Sequence, residues 1–99
     1  MFQQMRDLLK LQGQAKRMQK ELRQTIVEAE GEAGKVKVEV NGEQTVLKIE
    51  IDESLLTPSN KKHLEKVLID TLREASKAAQ KIVAQKGKSM MGDLSSLMK

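Results

Sequence analysis

Apolar side chains recur at alternating intervals of three and four positions through the first 24 residues. The series comprises Leu8, Leu11, Ala15, Met18 and Leu22. This spacing places the side chains along one side of an α-helix, as in the seam of a coiled coil. Only Gly13 weakens the helix, by about 1 kcal/mol relative to alanine. At about 1.5 Å per residue the helix would be roughly 36 Å long, and we predict that part of it projects from so small a domain.

The spacing of apolar residues changes to two in the middle of the chain. Residues 25–30 begin with β-branched side chains, and residues 35–40 alternate three valines with charged residues. Residues 47–51 alternate leucine and isoleucine with charged residues in the same way. Such alternation is typical of strands with one buried face and one face in water. The sequence therefore predicts a three-stranded antiparallel meander.

Small residues mark the two turns of this meander. Gly31 and Gly34 bracket the first turn. Asn41-Gly42 is the dipeptide most typical of a two-residue hairpin turn, because both residues tolerate a positive φ. We therefore predict a tight hairpin between the second and third strands.

A second amphipathic helix is predicted from about Thr57-Pro58 to Lys86, since proline suits the first helical position. Gly87 is predicted to end it. Its apolar seam comprises Leu64, Leu68, Thr71, Leu72, Ala75, Ala79 and Ile82. The fold class is thus α+β, in the order α-β-β-β-α. We expect a single domain over residues 1–87, followed by a flexible C-terminal tail over residues 88–99.

Composition makes a lone chain a poor candidate for a large core. The chain has 99 residues, of which 38% are hydrophobic and only one is aromatic. Aromatic rings supply the largest buried area per residue, so the core of one chain would be thin and we expect a homodimer. The absence of cysteine excludes disulfides and thiolate sites. No apolar run suits a signal peptide or a membrane span, and we expect a cytoplasmic protein that engages no membrane.

Charge is divided unevenly along the chain. Residues 1–24 hold six Lys or Arg and two acidic residues, and residues 58–99 hold nine and four. The intervening residues 25–57 hold three basic and eight acidic residues. Two basic helices thus flank an acidic sheet, which favours a localised surface for a polyanion.

The basic residues of both helices lie away from the apolar seams. Lys10 follows the seam residue Leu8 by two positions, and Arg17 follows Ala15 in the same way. Two positions turn the helix by about 200°, so these charges lie opposite the seam. The candidate DNA-binding residues are Arg6, Lys10, Lys16, Arg17, Lys20, Arg23, Lys77, Lys81, Lys86 and Lys88.

Rows of lysine and arginine suit the neutralisation of phosphates, although an ordinary solvated helix face has the same pattern. The excess of positive charge on both helices favours binding. Proteins that hold single strands or RNA stack the bases on aromatic rings, whereas Phe2 is the only aromatic residue here. We therefore predict double-stranded DNA as the partner. The alternative is a coiled-coil-like protein-interaction adaptor that binds no nucleic acid.

The remaining polar residues do not predict an enzyme. His63 is the only histidine, and no cysteine or second histidine accompanies it in the sequence. Alternation spreads the acidic strand residues over a wet face instead of converging them into a metal site. No glycine-rich phosphate-binding loop occurs. We expect no catalytic residue, no metal, no cofactor and no small-molecule substrate.

The order of these segments resembles that of the YbaB/EbfC nucleoid-associated proteins. The telling stretches are MQKEL at 18–22, GKVKVEVNG at 34–42, VLKIEIDESLL at 46–56 and the alanine-rich second helix. The resemblance covers roughly residues 5–90. It implies an α-β-β-β-α protomer that forms an intertwined homodimer with protruding helices, like the arms of tweezers. It also implies DNA binding in the bacterial nucleoid, through basic residues of the first helix and of the end of the second. The proline-rich ending of many relatives is missing, so the resemblance supports no role for this tail.

Overall fold

The structure is a computed structural model that describes the backbone of residues 2–97 and the side chains of residues 2–88. Its helices and strands are α1 (Phe2–Gln24), β1 (Ile26–Gly31), β2 (Val36–Asn41), β3 (Val46–Ile51) and α2 (Lys61–Leu97). Two 3₁₀ turns, Glu53–Leu55 and Pro58–Asn60, connect β3 to α2. The predicted α+β class and the α-β-β-β-α order are confirmed.

The three strands form one antiparallel sheet in which β2 is central. Its three valines, Val36, Val38 and Val40, are buried. They are covered by α2, whose Ala75 and Ala79 are fully buried against β1 and β2. Because both contact residues are alanines, the helix lies close to the sheet. Both belong to the apolar seam predicted for the second helix.

The third strand departs from the predicted alternation. Between Glu39 and Val40 the register with β3 shifts by one residue, so that Val46 and not Leu47 pairs with Val40. Ile49 pairs with the buried Val38, yet it remains 45% exposed. The predicted apolar face of β3 is therefore largely uncovered, because α2 packs over β1 and β2.

The predicted hairpin between the second and third strands is confirmed, but the prediction that Asn41-Gly42 forms its turn was wrong. Residues 42–45 form the connection, and only Gln44 among them has a positive φ, of 66°. The Asn41 side chain instead accepts hydrogen bonds from the amides of Glu43 and Thr45, both at 3.0 Å. Glycine is required at 42 for a different reason. A Cβ there would lie 2.8 Å from the carbonyl oxygen of Leu22, so the end of α1 packs directly on this turn.

The predicted end of the second helix at Gly87 was also wrong, since α2 continues to Leu97. One glycine costs a helix only about 1 kcal/mol relative to alanine, and helix formers flank Gly87 on both sides. The flexibility of residues 88–99 and the domain boundary at residue 87 stay predictions. Residues 98 and 99 lie outside the described residues.

Candidate nucleic-acid interface

The molecule is long and narrow. Its principal extents are 68 × 18 × 16 Å and its radius of gyration is 19.3 Å, whereas a compact domain of 100 residues has a radius of gyration of about 13 Å. The sheet is too small to account for such a length, so the helices must extend beyond it.

The first helix is attached to the sheet only at its C-terminal end. Leu22 is its one buried residue among those described, and the Leu22 carbonyl accepts a hydrogen bond of 2.7 Å from the Gly42 amide. The Thr25 hydroxyl adds a bond of 2.6 Å to the carbonyl of Glu21. Residues 2–13 are exposed throughout, as expected for a projecting helix.

The seam predicted for this helix is not buried within one chain. Leu8 is 61% exposed and Leu11 is 41% exposed, whereas Met18 is half-buried and Leu22 is buried. The seam therefore fades from the sheet toward the N-terminal end. Its apolar residues there are available to a second surface.

The second helix leaves the sheet beside the end of the first. Its residues up to Ala79 pack on the sheet, and Ile82 borders the same core. Further along, the Lys86 ammonium lies 3.5 Å from a carboxylate oxygen of Glu21 at the end of α1. We refer to residues 2–20 of α1 and residues 83–97 of α2 as the arms, since both extend past the same end of the sheet.

The candidate DNA-binding residues fall into two groups. Among the described residues, eight are exposed and form no ion pair, namely Arg6, Lys10, Lys16, Arg17, Lys20, Lys77, Lys81 and Lys88. The other two are paired with carboxylates. The Arg23 guanidinium lies 3.2 Å from Glu43 in the hairpin, and Lys86 is paired with Glu21 as described above. All eight exposed groups lie on the two helices, and five of them are on the α1 arm.

Acidic residues concentrate on the sheet face that α2 leaves open. Glu28 lies opposite Glu39, which in turn lies opposite Lys48. A hydrogen bond from Lys48, together with its charge, holds the pKa of the Glu50 carboxyl below its usual value. The open sheet face thus carries carboxylates, whereas the arms carry exposed cations.

The one histidine of the chain lies beside the first turn of the sheet. His63 is half exposed, and its Nε2 lies 2.9 Å from a carboxylate oxygen of Glu32 in the first turn. In the described part of the chain, no three metal-ligating side chains of the His, Asp or Glu type converge. None of the helices in that part has an apolar stretch suited to crossing a bilayer.

Two exposed apolar patches were missed in the sequence. One lies along β3 and comprises Val46, Leu47 and Ile49, and Ile69 on α2 is exposed as well. The other lies at the distal end of α1 and comprises Phe2, Met5 and Leu9. Ile69 and Leu9 do not belong to the predicted seams. Apolar residues outside the seams could have indicated from the sequence that each helix has a second apolar side.

The chain is a small α-β-β-β-α protein with exposed basic residues on both helices, and comparison with known proteins identifies its class. The sequence profile of the YbaB/EbfC DNA-binding family matches residues 1–94. The chain therefore belongs to the YbaB/EbfC DNA-binding family.

Bacterial relatives carry the name nucleoid-associated protein. One from Syntrophobacter fumaroxidans is 31% identical over 93 residues, which are 94% of this chain and 84% of that protein. One from Pelotomaculum thermopropionicum is 32% identical over 94 residues, which are 95% of this chain and 90% of that protein. One from Rhodopseudomonas palustris is 34% identical over 91 residues, which are 92% of this chain and 87% of that protein.

A solved structure supports the fold. The crystal structure of the uncharacterized protein HP0035 from Helicobacter pylori superposes with a TM-score of 0.79. The alignment covers 92% of this chain and 97% of that one, at 24% sequence identity. The likeness extends over the arms as well as the sheet, since the sheet alone is a small part of the chain.

Proposed function

We propose that this protein binds double-stranded DNA in the bacterial nucleoid as a homodimer, through the basic faces of its helices and without catalysis. The observation that carries the proposal is the set of eight exposed cations on α1 and α2, none of which is ion-paired in the described structure. Unpaired lysines and arginines release the counterions of DNA when they meet its phosphates, which drives binding with little dependence on sequence. The cytoplasm is the compartment in which this function is exercised.

The choice of duplex DNA rests on the lack of stacking groups. Phe2, the one aromatic residue, lies at the distal end of α1, far from the sheet. A sheet platform for RNA needs exposed aromatic rings, and here the open sheet face carries Glu28, Glu39 and Glu50 instead. Two helical arms that carry cations suit the regular phosphate rows of a duplex.

The homodimer is supported by the uncovered face of β3. Val46, Leu47 and Ile49 are each nearly half exposed, and β3 is an edge strand of the sheet. Apolar edge strands are prone to pair with a second chain. A second copy that covers β3 and Ile69 would complete the core that α2 leaves open and bring a second pair of arms into the particle.

A gel-shift titration with paired charge reversals tests the interface. Lys16→Glu with Lys20→Glu places two negative charges on the α1 arm and should abolish the shift of a duplex at low salt. The control is Lys61→Glu with Lys62→Glu, which makes the same change of charge at the start of α2, at the other end of the helix from its arm. The control variant should bind the duplex nearly as tightly as the wild type does, because its substituted residues lie far from the arms.

Three results would separate the alternatives. Equal loss of binding in the two double variants would mean that net charge matters and the arms do not. Wild-type protein that shifts no duplex at low salt would favour the protein-interaction adaptor, whose helical seam is exposed at Leu8 and Leu11. Light scattering on Ile49→Arg tests the dimer separately, since a charge on β3 should yield monomers.

A further inference from the structure

One row of residues on α1 changes from apolar to basic along its length. Successive steps of three or four positions place its members on the same side of the helix. The row runs through Phe2, Met5, Leu9, Gly13, Lys16, Lys20 and Arg23. It is distinct from the seam of Leu8, Ala15 and Leu22. Since each residue turns the helix by about 100°, the row lies more than a quarter turn around the helix from that seam.

The apolar part of this row is the most exposed part of α1. Phe2 is 83% exposed, and Met5 and Leu9 are each about two thirds exposed. Phe2 carries the only aromatic ring of the protein, and it lies in water at the end of an arm. Burying such side chains on a partner is favourable because it removes apolar surface from water.

Gly13 separates the apolar and basic halves of the row. A Cβ built on it would have no atom within 4 Å, and its φ is not positive. Nothing within the single chain therefore requires glycine at this position, although glycine weakens a helix. Glycine does allow a ligand to approach a backbone closely, which is a reason for its position in the middle of an exposed row.

We propose, on the basis of the DNA binding proposed above, that this row lies across a duplex and bends it. Lys16 and Lys20 neutralise phosphates, and a DNA backbone passes over Gly13. Phe2 and Met5, supported by Leu9, enter the adjacent groove and wedge between stacked base pairs. Apolar wedges of this kind unstack one base step and kink DNA by about 20–90°.

The spacing along the row fits a duplex. The centres of its apolar and basic halves are about 14 residues apart, which is about 21 Å at 1.5 Å per residue. This distance equals roughly six base-pair rises of 3.4 Å. A helix can therefore contact one phosphate row with its basic half and a groove with its tip.

A membrane is the other surface that exposed apolar and basic residues could meet. In a helix that lies on a bilayer, the apolar side chains form a continuous face along the helix. Here the row is apolar for about two turns and basic for the next two, on the same side. The observed arrangement thus favours an elongated polyanion with a groove over a flat lipid surface.

The proposal is tested with the full-length protein on a short duplex that carries 2-aminopurine at a central TA step and a fluorophore at each end. Wild-type protein should raise the 2-aminopurine fluorescence, which reports unstacking, and shorten the distance between the ends. Phe2→Gln with Met5→Gln and Leu9→Gln should lose both responses and bind several-fold more weakly, with the same dependence of affinity on salt. Circular dichroism confirms that the variant keeps its helices.

The matched variant is Lys16→Gln with Lys20→Gln, which should weaken binding and reduce its salt dependence while the bound duplex remains bent. Gly13→Ala should raise the melting temperature of the protein yet lower its DNA affinity several-fold. A Phe2→Gln, Met5→Gln, Leu9→Gln variant that still bends the duplex would overturn the wedge. Wild-type protein that binds the duplex without bending it would overturn the wedge alone, whereas failure to bind would overturn DNA binding itself. The tip would be assigned to a membrane if the wild type cosediments with anionic vesicles and the Phe2→Gln, Met5→Gln, Leu9→Gln variant does not, while that variant still bends DNA.

Discussion

The attachment of α1 to the hairpin depends on the absence of a side chain at Gly42. In Gly42→Ala the new Cβ would lie 2.8 Å from the carbonyl oxygen of Leu22, 2.9 Å from its Cδ2 and 3.0 Å from its Cα. Two of these atoms belong to the backbone, so no change of rotamer relieves the contact. The end of α1 must move away from the turn.

The cost of this movement can be worked out from its parts. Overpacking in a close contact costs about 1–3 kcal/mol. Displacement of α1 also lengthens the 2.7 Å hydrogen bond from the Gly42 amide to Leu22, which contributes about 1 kcal/mol. We therefore expect Gly42→Ala to lower the free energy of unfolding by about 2–4 kcal/mol. For a chain of this size that is a fall of roughly 10–25 °C in melting temperature.

Urea unfolding followed by circular dichroism measures this change, at one fixed protein concentration because a dimer's stability depends on it. Gly13→Ala is the matched control, since a Cβ at Gly13 meets nothing within 4 Å and should add about 0.5–1 kcal/mol. Gly42→Ala with wild-type stability would refute the close packing of α1 on the hairpin. It would also remove the reason for a fixed direction of the arm.

Three further predictions concern other parts of the molecule. Ala33 has a φ of 54°, so Ala33→Gly should relieve backbone strain and raise the free energy of unfolding by about 0.5–1 kcal/mol; a lower melting temperature would contradict this. Hydrogen bonds from the hydroxyl and the amide of Ser54 hold the pKa of Asp52 below its ordinary value. Its contribution to stability is therefore present above the unfolded-state pKa and lost as pH falls through the lowered folded-state pKa. Asp52→Asn should flatten the pH dependence of unfolding over this acidic range, and an unchanged profile would contradict a role for these hydrogen bonds. Glu43→Gln releases Arg23 from its ion pair and should tighten duplex binding about two- to three-fold at low salt; weaker binding would show that Arg23 serves only the hairpin.

The central strand and the second helix were predictable because two independent patterns agree there. Val36, Val38 and Val40 have the period of a strand, Ala75 and Ala79 have the period of a helix, and each set is buried by the other. Where only one local rule was available, the prediction failed. The sequence predicts a helix end at Gly87, but one glycine costs only about 1 kcal/mol relative to alanine, and the 37-residue helix α2 continues through it.

The candidate site was predictable as a set of residues and not as a set of contacts. The sequence identifies the basic rows because helical spacing is regular. It does not show that Arg23 meets Glu43, 20 positions away, or that Lys86 meets Glu21, 65 positions away. It also does not show what covers an apolar seam, and within the single chain the seam residue Leu8 is exposed.

The salt dependence of duplex binding tests the central claim most directly. If the dimer neutralises about six phosphates, the logarithm of the association constant should fall with the logarithm of salt concentration at a slope near −5. Lys16→Gln with Lys20→Gln should reduce that slope by about 2 for each arm that contacts DNA. A slope near zero for the wild type, or the same slope for the variant, would contradict binding through the basic arms.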